Sequence, residues 1–565
     1  MCAYPRNLNV KKPLFGRQLE VDLESRTVVE STLEKERFRS WLGGRGLGLS
    51  YLYETDCWDI DEVPLVFAVG PLAVYGVAAS SRCSLVTRSP KTKTVFDSSA
   101  GGGFGARLAA AGIALLALRG RAKHPTVVEV TPEGVSFVDA ANIWNCTIDE
   151  FASYVGDGAS FAAVGPAASA DVDFACVMVD RHHAFGRGGL GRLFRARNLK
   201  GVVVRAPLLR RQPADPHLFS SATNAIRRLL TASPPVKALA SFGTPFLVAI
   251  TNWLGVLPMF NFSRTGMKEA EALSADVTTA SAERSGCVRC PIACKRRKNG
   301  VPLPEYETVA MLGPNCGIFD YETIRRANSL ANRYGADTIS LGGALAAFYA
   351  QRGAYPKPSD FLKDVEAVLR GRHKACRGAQ AFGDAAVAVR NLELPAYDPR
   401  GCWGMGLAYA TSTRGGCHLR GYMVAAEILR KPRPLERFTF AGKAEYLAVL
   451  QNRSAVCDSL GVCKFAFLGA TEEEFAAALS GAYGLPISAE ELMDVGKRIY
   501  ALERKLNERF GSGAEYDTLP EKFFSEALGD HPPLPKQDFR HALSLWRRIR
   551  GEENGGDDKV RQKNR

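Results

Sequence analysis

Short apolar or alternating runs bounded by turn residues fill the first two hundred positions, and this pattern predicts β-strands. Six such runs are RTVVEST, LVFAVG, CSLVTR, TVVEVT, GVSFVD and GVVVRA. Glycine clusters lie between them, in GGRGLGLS, SSAGGGFGARL and GRGGLGRL. Because glycine lacks a side chain, three such turns in one region indicate a backbone that approaches another group closely.

The pattern changes to helical periodicity after RRQPADPHLF. The runs YETIRRANSLANRYG and SDFLKDVEAVLRG follow, and two later helices each begin with a capping box, Thr471 with Glu474 and Ser488 with Glu491. A second, weaker boundary is placed near Pro395. The chain is therefore predicted to form three domains and a polar, disordered tail, at residues 1–210, 211–395, 396–550 and 551–565.

Length and composition favour an ordinary globular protein with several domains. The chain has 565 residues, of which 46% are hydrophobic and 23% charged, and this length exceeds what one compact core usually holds. The first residues lack the apolar run of a secretory signal. The most apolar stretch, LAAAGIALLAL, is too short to span a bilayer. We therefore expect a cytoplasmic protein without membrane insertion.

The formal net charge of +14 implies an acidic partner. The cations are spread along the chain, and no basic helix interleaves with aromatic residues, so nucleic acid is not the expected partner. An acidic protein or an anionic cofactor fits as well. Fourteen cysteines in a chain without an export signal argue against a disulfide scaffold, because the cytosol keeps thiols reduced.

One group of cysteines has metal-ligand spacing. Cys287, Cys290 and Cys294 form C-x2-C-x3-C. A zinc knuckle would need a second nearby pair of ligands, and the spacing is the reverse of the radical S-adenosylmethionine motif. An iron–sulfur cluster with a remote fourth cysteine is the interpretation that remains. Spacing does not choose among the candidates for that ligand: Cys316, Cys402, Cys417, Cys457 and Cys463.

Several motifs in order along nearly the whole chain resemble the tungsten-containing aldehyde ferredoxin oxidoreductase family. They are GGRGLG, GPLAVYGVAASSRCSLVTRSP, DSSAGGGFG, GRGGLGRLFRARNLKGVVVR, CVRCPIAC, PEYET, GADTIS, YDPRG, GLAYATSTRGGCHLR, DSLGVC and DTLPEKFF. The resemblance implies an α+β fold. Its N-terminal β-rich domain has two sheets that form a base for a bis-pyranopterin cofactor, and two mainly helical domains follow.

The resemblance also implies the cofactors and the residues that hold them. A [4Fe-4S] cluster would be held by the triplet and Cys463, beside a tungsten (or molybdenum) bis-pyranopterin. Magnesium would bridge the pterin phosphates through the carbonyls of Ser99 and Gly188. The implied cofactor-binding residues are Arg82, Ser99, Gly101, Arg187, Gly188, Asp337, Leu341, Arg420, Asp458 and Val462. For Asp337 the competing interpretation is a helix N-cap.

Family members oxidise an aldehyde to its carboxylic acid and pass electrons to ferredoxin. The matched catalytic candidates are Glu307 for proton transfer and His418 for a hydrogen bond to substrate oxygen. Glu305 competes with Glu307, since an extended PEYET segment would point both carboxylates to one face. The plainer interpretations are a surface carboxylate and a satisfied core histidine.

The four cations that follow the triplet, Lys295 to Lys298, are expected to form a basic collar for an acidic ferredoxin or another iron–sulfur carrier. A solvated loop is the alternative. A homodimer or a larger redox complex is also compatible with the family. Two other functions stay open: action on another substrate, such as an aromatic acyl-thioester, and a non-catalytic iron–sulfur electron-transfer or scaffold subunit.

Overall fold

A computed structural model describes residues 14–552. The first part of the chain forms a six-stranded sheet in the order β2-β1-β6-β3-β4-β5. Its strands are β1 (Arg17–Asp22), β2 (Thr27–Thr32), β3 (Leu65–Val69), β4 (Cys83–Arg88), β5 (Val95–Ala100) and β6 (Ile113–Arg119). Within this sheet, as far as the structure describes it, β1 and β6 pair in parallel and the other neighbouring strands pair antiparallel. The second half of the apolar run that was too short for a bilayer forms strand β6, which lies inside the sheet.

A second six-stranded sheet follows in the order β11-β10-β9-β12-β7-β8. Its strands are β7 (Thr126–Val130), β8 (Val135–Asp139), β9 (Ser160–Ala163), β10 (Val177–Val179), β11 (His183–Phe185) and β12 (Leu199–Val204). Phe67 of the first sheet and Phe185 of the second pack edge to face, with ring centroids 5.6 Å apart. The two sheets therefore share one hydrophobic core.

The rest of the chain is mainly helical. Its small sheets contain β13 (Glu283–Ser285), β14 (Lys295–Lys298), β15 (Val301–Pro302), β16 (Ala388–Val389) and β17 (Leu392–Glu393). The α-helices of the described residues are α1 (Lys35–Trp41), α2 (Gly44–Thr55), α3 (Phe104–Ala110), α4 (Ile148–Val155), α5 (Pro166–Ser169), α6 (Leu190–Ala196), α7 (Pro216–Ala232), α8 (Pro234–Phe242), α9 (Leu247–Trp253), α10 (Ala275–Thr278), α11 (Tyr306–Leu312), α12 (Tyr321–Tyr334), α13 (Thr338–Arg352), α14 (Pro358–Leu369), α15 (Trp403–Thr411), α16 (Val424–Glu427), α17 (Lys443–Leu460), α18 (Glu472–Tyr483), α19 (Ala489–Arg509), α20 (Lys522–Ser525) and α21 (Lys536–Arg550). None of these helices is long and apolar enough to cross a membrane.

The predicted α+β class, two sheets followed by helices, is confirmed. All six predicted strands form, and both predicted capping boxes close at the starts of α18 and α19. Of the predicted disordered tail, residues 553–565 lie outside the described residues. Gly551 caps α21, and the Glu552 carboxylate pairs with Arg504 at 2.6 Å.

One of the predicted glycine clusters, GGRGLGLS, and the single Gly70 after β3 fit closely against the C-terminal end of α17. A Cβ on Gly44 would lie 2.1 Å from the Asp458 carbonyl oxygen, and one on Gly70 would lie 2.0 Å from the Leu460 carbonyl oxygen. The predicted close approach is therefore real, and the group approached is a neighbouring segment of backbone. Hydrogen bonds fix the same junction: the Arg82 N–H donates to the Gly461 oxygen and the Cys463 N–H to the Ala79 oxygen.

Candidate active site

One cavity of about 390 Å³ lies between the sheets and the helical part of the chain. Most of the predicted site residues line it: Arg82, Ser99, Gly101, Arg187, Cys287, Cys290, Cys294, Glu307, Asp337, His418, Asp458 and Cys463. Gly188, Leu341, Arg420 and Val462 lie outside its wall. Residues separated by hundreds of positions thus meet at one site.

The cysteines occupy one end of the cavity. The triplet sits on the loop between β13 and β14, and Cys463 follows the left-handed Gly461 that ends α17. Burial and the neighbouring Cys463 raise the pKa of Cys290 to about 12. Burial, Glu305 and Cys463 raise the pKa of Cys294 well above its ordinary value. Cys290 and Cys294 are therefore close enough to Cys463 for its negative charge to oppose their ionisation, which a cationic cluster would reverse.

A single metal ion does not fit this group as it stands. Among the described residues, no three Cys, His, Asp or Glu side chains converge closely enough to hold one ion. Four thiols around one cavity end are nevertheless the donor set that a [4Fe-4S] cluster takes, and a polynuclear cluster needs its ligands further apart than one ion does. The residues present fit the cluster.

A carboxylate and an imidazole face each other elsewhere on the cavity wall. His418 Nε2 lies 3.5 Å from Glu307 Oε1, while Glu307 Oε2 accepts a hydrogen bond from the Ala396 N–H at 2.9 Å. Burial raises the pKa of Glu307 to about 8. Burial, with Arg187 and Arg414 nearby, holds the pKa of His418 well below its ordinary value. Near neutral pH the imidazole is uncharged and the carboxyl is mostly protonated.

Both groups keep an unused polar atom. Within the described residues, Glu307 Oε1 and His418 Nδ1 are buried and have no hydrogen-bond partner. A buried polar atom without a hydrogen-bond partner destabilises the fold unless a ligand or a water molecule supplies that partner. The rings of Tyr397 and Tyr422 stand 5.7 and 5.9 Å from the imidazole, centroid to centroid, and also line the cavity. Both tyrosines are thus wall residues of the site.

The expectation that Glu305 and Glu307 share one face of an extended segment is wrong. Helix α11 begins at Tyr306, with Glu305 at its N-cap position, so the segment is not extended, and the two carboxylates contact different partners although both line the cavity. Glu305 is ion-paired with Lys295 beside the cysteine loop. Glu307 alone faces His418, and the helix start is the physical reason.

The basic side chains of the cavity are already engaged with the protein. Arg187 donates to the Asp337 carboxylate at 3.2 Å and to the carbonyls of Gly416 and Glu393 at 2.6 Å each. Asp337 is also the N-cap of α13, accepting from the Ile339 N–H, as the competing interpretation held. Asp458 accepts from Lys464 at 2.6 Å.

Other predicted contacts are occupied or enclosed. The Ser99 carbonyl accepts from Arg82 and the Gly188 carbonyl from Ser89, so both predicted magnesium ligands have protein donors. Leu341 is fully buried inside α13. Val462 is also buried, and its carbonyl accepts from the Cys457 thiol.

A buried ion network that the sequence did not suggest lies behind the cavity. Arg45 makes a two-point contact with Glu503, at 2.6 and 2.7 Å, and Arg420 pairs with Asp97. Burial alone would raise the pKa of Asp97, but Arg420 and Arg45 outweigh this effect and hold the pKa well below its usual range. Arg45 Nη1 and Asp97 Oδ2 have no hydrogen-bond partner among the described residues. No sequence signal links these positions, which come from distant motifs.

The predicted basic collar is only half correct. Lys295 forms an ion pair with Glu305. Arg296 is buried and donates hydrogen bonds to four backbone carbonyls, those of Ala293, Lys295, Leu239 and Ala240. Arg297 is half-buried and Lys298 exposed, and neither pairs with a carboxylate among the described residues. A two-cation patch replaces the expected four.

Four thiols, a carboxylate–imidazole pair and several cations around one cavity are typical of a redox enzyme that holds a metal cofactor. Family models agree with this class. The N-terminal domain of aldehyde ferredoxin oxidoreductase matches residues 18–206, and domains 2 and 3 of the same enzyme match residues 221–360 and 367–557.

Individual relatives agree as well. The tungsten-containing aldehyde ferredoxin oxidoreductases of Pyrococcus horikoshii and Pyrococcus abyssi are 34% and 33% identical, with 92% of this chain and 93% of each relative covered. The active site complex BamBC of benzoyl coenzyme A reductase shares the fold, with a TM-score of 0.78 at 18% identity over 95% of this chain and 94% of that one. The chain therefore belongs to the aldehyde ferredoxin oxidoreductase family, a family of oxidoreductases.

Proposed function

We propose that this protein oxidises an aldehyde to a carboxylic acid at a tungsten bis-pyranopterin centre and passes the electrons through a [4Fe-4S] cluster to an acidic iron–sulfur protein. One observation carries the proposal: the Glu307–His418 pair and the four thiols line the same cavity. The tungsten relatives support the choice of metal. Cys287, Cys290, Cys294 and Cys463 would hold the cluster.

The overall reaction is R–CHO + H₂O → R–COOH + 2e⁻ + 2H⁺. When bound, the tungsten cofactor supplies a two-electron acceptor and the cluster a one-electron route outward. Arg82, Arg414 and Lys464 line the cavity and would attract the cofactor phosphates. Bound cofactor phosphates would compete for donors that now contact protein carbonyls.

Glu307 and His418 would perform the proton chemistry. Ionised Glu307 accepts a proton from the water whose oxygen enters the product, at the unpartnered Oε1. His418 is neutral and can donate one N–H to the carbonyl oxygen of the aldehyde, since its pKa lies far below neutrality. Because Glu307 has a pKa of about 8, the base form accumulates as the pH rises through that value.

The experiment is metal analysis of protein purified without oxygen, followed by an aldehyde screen with a dye acceptor. The proposal expects about one tungsten and four irons per chain. Glu307→Gln should lower kcat/KM by about 100-fold or more. The matched control is Glu305→Gln, since this carboxylate is two residues away and faces Lys295 instead.

Two results would redirect the proposal. Four irons without tungsten or molybdenum would favour an electron-transfer or scaffold subunit, and zinc alone would overturn both interpretations. The same dye assay also tests an aromatic acyl-thioester as the alternative substrate. Turnover of this thioester without turnover of any aldehyde would contradict aldehyde oxidation.

A further inference from the structure

Three polar groups converge on the space that a side chain at Gly101 would fill. A Cβ built there would lie 2.3 Å from Cys287 Sγ, 3.4 Å from His183 Nδ1 and 3.5 Å from Arg82 Nη1. The same His183 ring also borders the next glycine, since a Cβ on Gly102 would lie 3.0 Å from its Cδ2. The two glycines therefore leave room for an imidazole and a thiol to lie side by side.

His183 is held in place by regular structure. It begins β11 and pairs with Val179 of β10, so its backbone is fixed by the second sheet. Its Nδ1 lies 4.0 Å from Cys287 Sγ, which is within reach of a weak hydrogen bond to sulfur. The cations near the ring are Lys295, Arg82 and Arg297, and His182 is another titratable neighbour. One carboxylate, Asp180, borders the Cδ2 edge of the ring, where its Oδ2 and His183 Cδ2 would each lie 3.0 Å from a Cβ on Gly102, and it accepts hydrogen bonds from the N–H groups of Gly103 and Phe161.

We propose that His183 is a positioning residue that donates its Nδ1–H to Cys287 Sγ and raises the reduction potential of the cluster held by that thiolate. The inference rests on the cluster in the proposed function. A hydrogen bond to a ligand sulfur stabilises the reduced cluster more than the oxidised one, because reduction adds negative charge at the sulfurs. Gly101 and Gly102 would thus leave room for this hydrogen bond to the cluster ligand as well as for the cofactor.

The experiment is a redox titration of the cluster followed by electron paramagnetic resonance, which reads the iron signal whether or not the enzyme turns over. His183→Phe removes the donor, and we expect its cluster to have a lower midpoint potential than wild type at equal iron content. His183→Gln keeps an N–H donor and should lie between the two. His182→Phe, next to it in the chain, should leave the midpoint unchanged.

An unchanged midpoint in His183→Phe with full iron would overturn the inference. If the phenyl ring reduces iron content, the smaller His183→Leu is compared with His183→Gln, and equal midpoints in that pair would overturn it too. A wild-type protein with no four-iron signal would instead refute the cluster of the proposed function, and the inference with it. The two failures are therefore distinguished by the wild-type spectrum alone.

Discussion

The ionisation of Glu307 can be tested directly through Glu307→Gln. A pKa of about 8 against an ordinary 4.5 means that ionising this buried carboxyl costs about 5 kcal/mol more than ionising glutamate in water, at ~1.4 kcal/mol per pH unit. At pH 7 about ten molecules would be protonated for each ionised one. A solvated glutamate would be protonated in only about three molecules per thousand at that pH.

Infrared titration measures this ratio, because the C=O stretch of a protonated carboxyl is distinct from that of a carboxylate. The wild-type spectrum minus that of Glu307→Gln should show a protonated band that disappears with a midpoint near pH 8. Dye-linked kcat/KM should rise over the same range, since the base form is then accumulating. A midpoint near 4.5, or a band that persists in the glutamine variant, would refute the burial argument.

The same shift has a consequence for stability. The folded protein holds a proton on Glu307 between about pH 4.5 and 8 that the unfolded chain releases. Its contribution to the free energy of unfolding is therefore present below pH 4.5 and is lost as the pH rises to 8. Glu307→Gln should lack this loss, so its stability relative to wild type should increase with pH across the window. A constant difference would contradict the assignment.

Three further predictions follow from the site. Cys463→Ala should lose the four-iron signal, whereas Cys457→Ala, whose thiol bonds a backbone carbonyl away from the cavity, should keep it; iron analysis decides. Arg45→Met removes the guanidinium that contacts the buried Glu503 carboxylate at two points and should cost about 3–5 kcal/mol, seen as a lower melting temperature. Replacing Arg297 and Lys298 by serine should slow turnover with an acidic ferredoxin at low salt and leave dye turnover intact. Equal loss with both acceptors would exclude docking at this patch.

Local signals in the sequence predicted local structure well. The capping boxes at Thr471 and Ser488 close as expected, because a hydroxyl and a carboxylate three residues apart satisfy neighbouring backbone groups without help from the rest of the fold. The six predicted strands also form, but most of them do not alternate between buried and exposed positions: β3 and β12 are buried along their whole length, as short apolar runs bounded by turn residues predict. Motif order supplied the family and the residues of the cavity wall.

Long-range partners could not be predicted in the same way. Nothing near Arg45 indicates that its guanidinium meets Glu503, 458 positions later, because charge pairing across a fold leaves no periodic pattern. The partner of Glu305 depends on the residue at which helix α11 begins. Sequence patterns fix helix boundaries less precisely than the existence of a helix. The cationic run after the cysteines likewise did not reveal that Arg296 turns inward.

The contact of Gly44 and Gly70 with the C-terminal end of α17 bears on how the protein is synthesised and loaded. Gly44 and Gly70 leave the ribosome long before their contact surface, Asp458 to Gly461, is synthesised. The backbone of Cys463 is likewise tied to the early part of the chain, since its N–H donates to the Ala79 carbonyl. A nascent chain therefore cannot present all four thiols before Cys463 has been synthesised, so the proposed cluster should load only after that point.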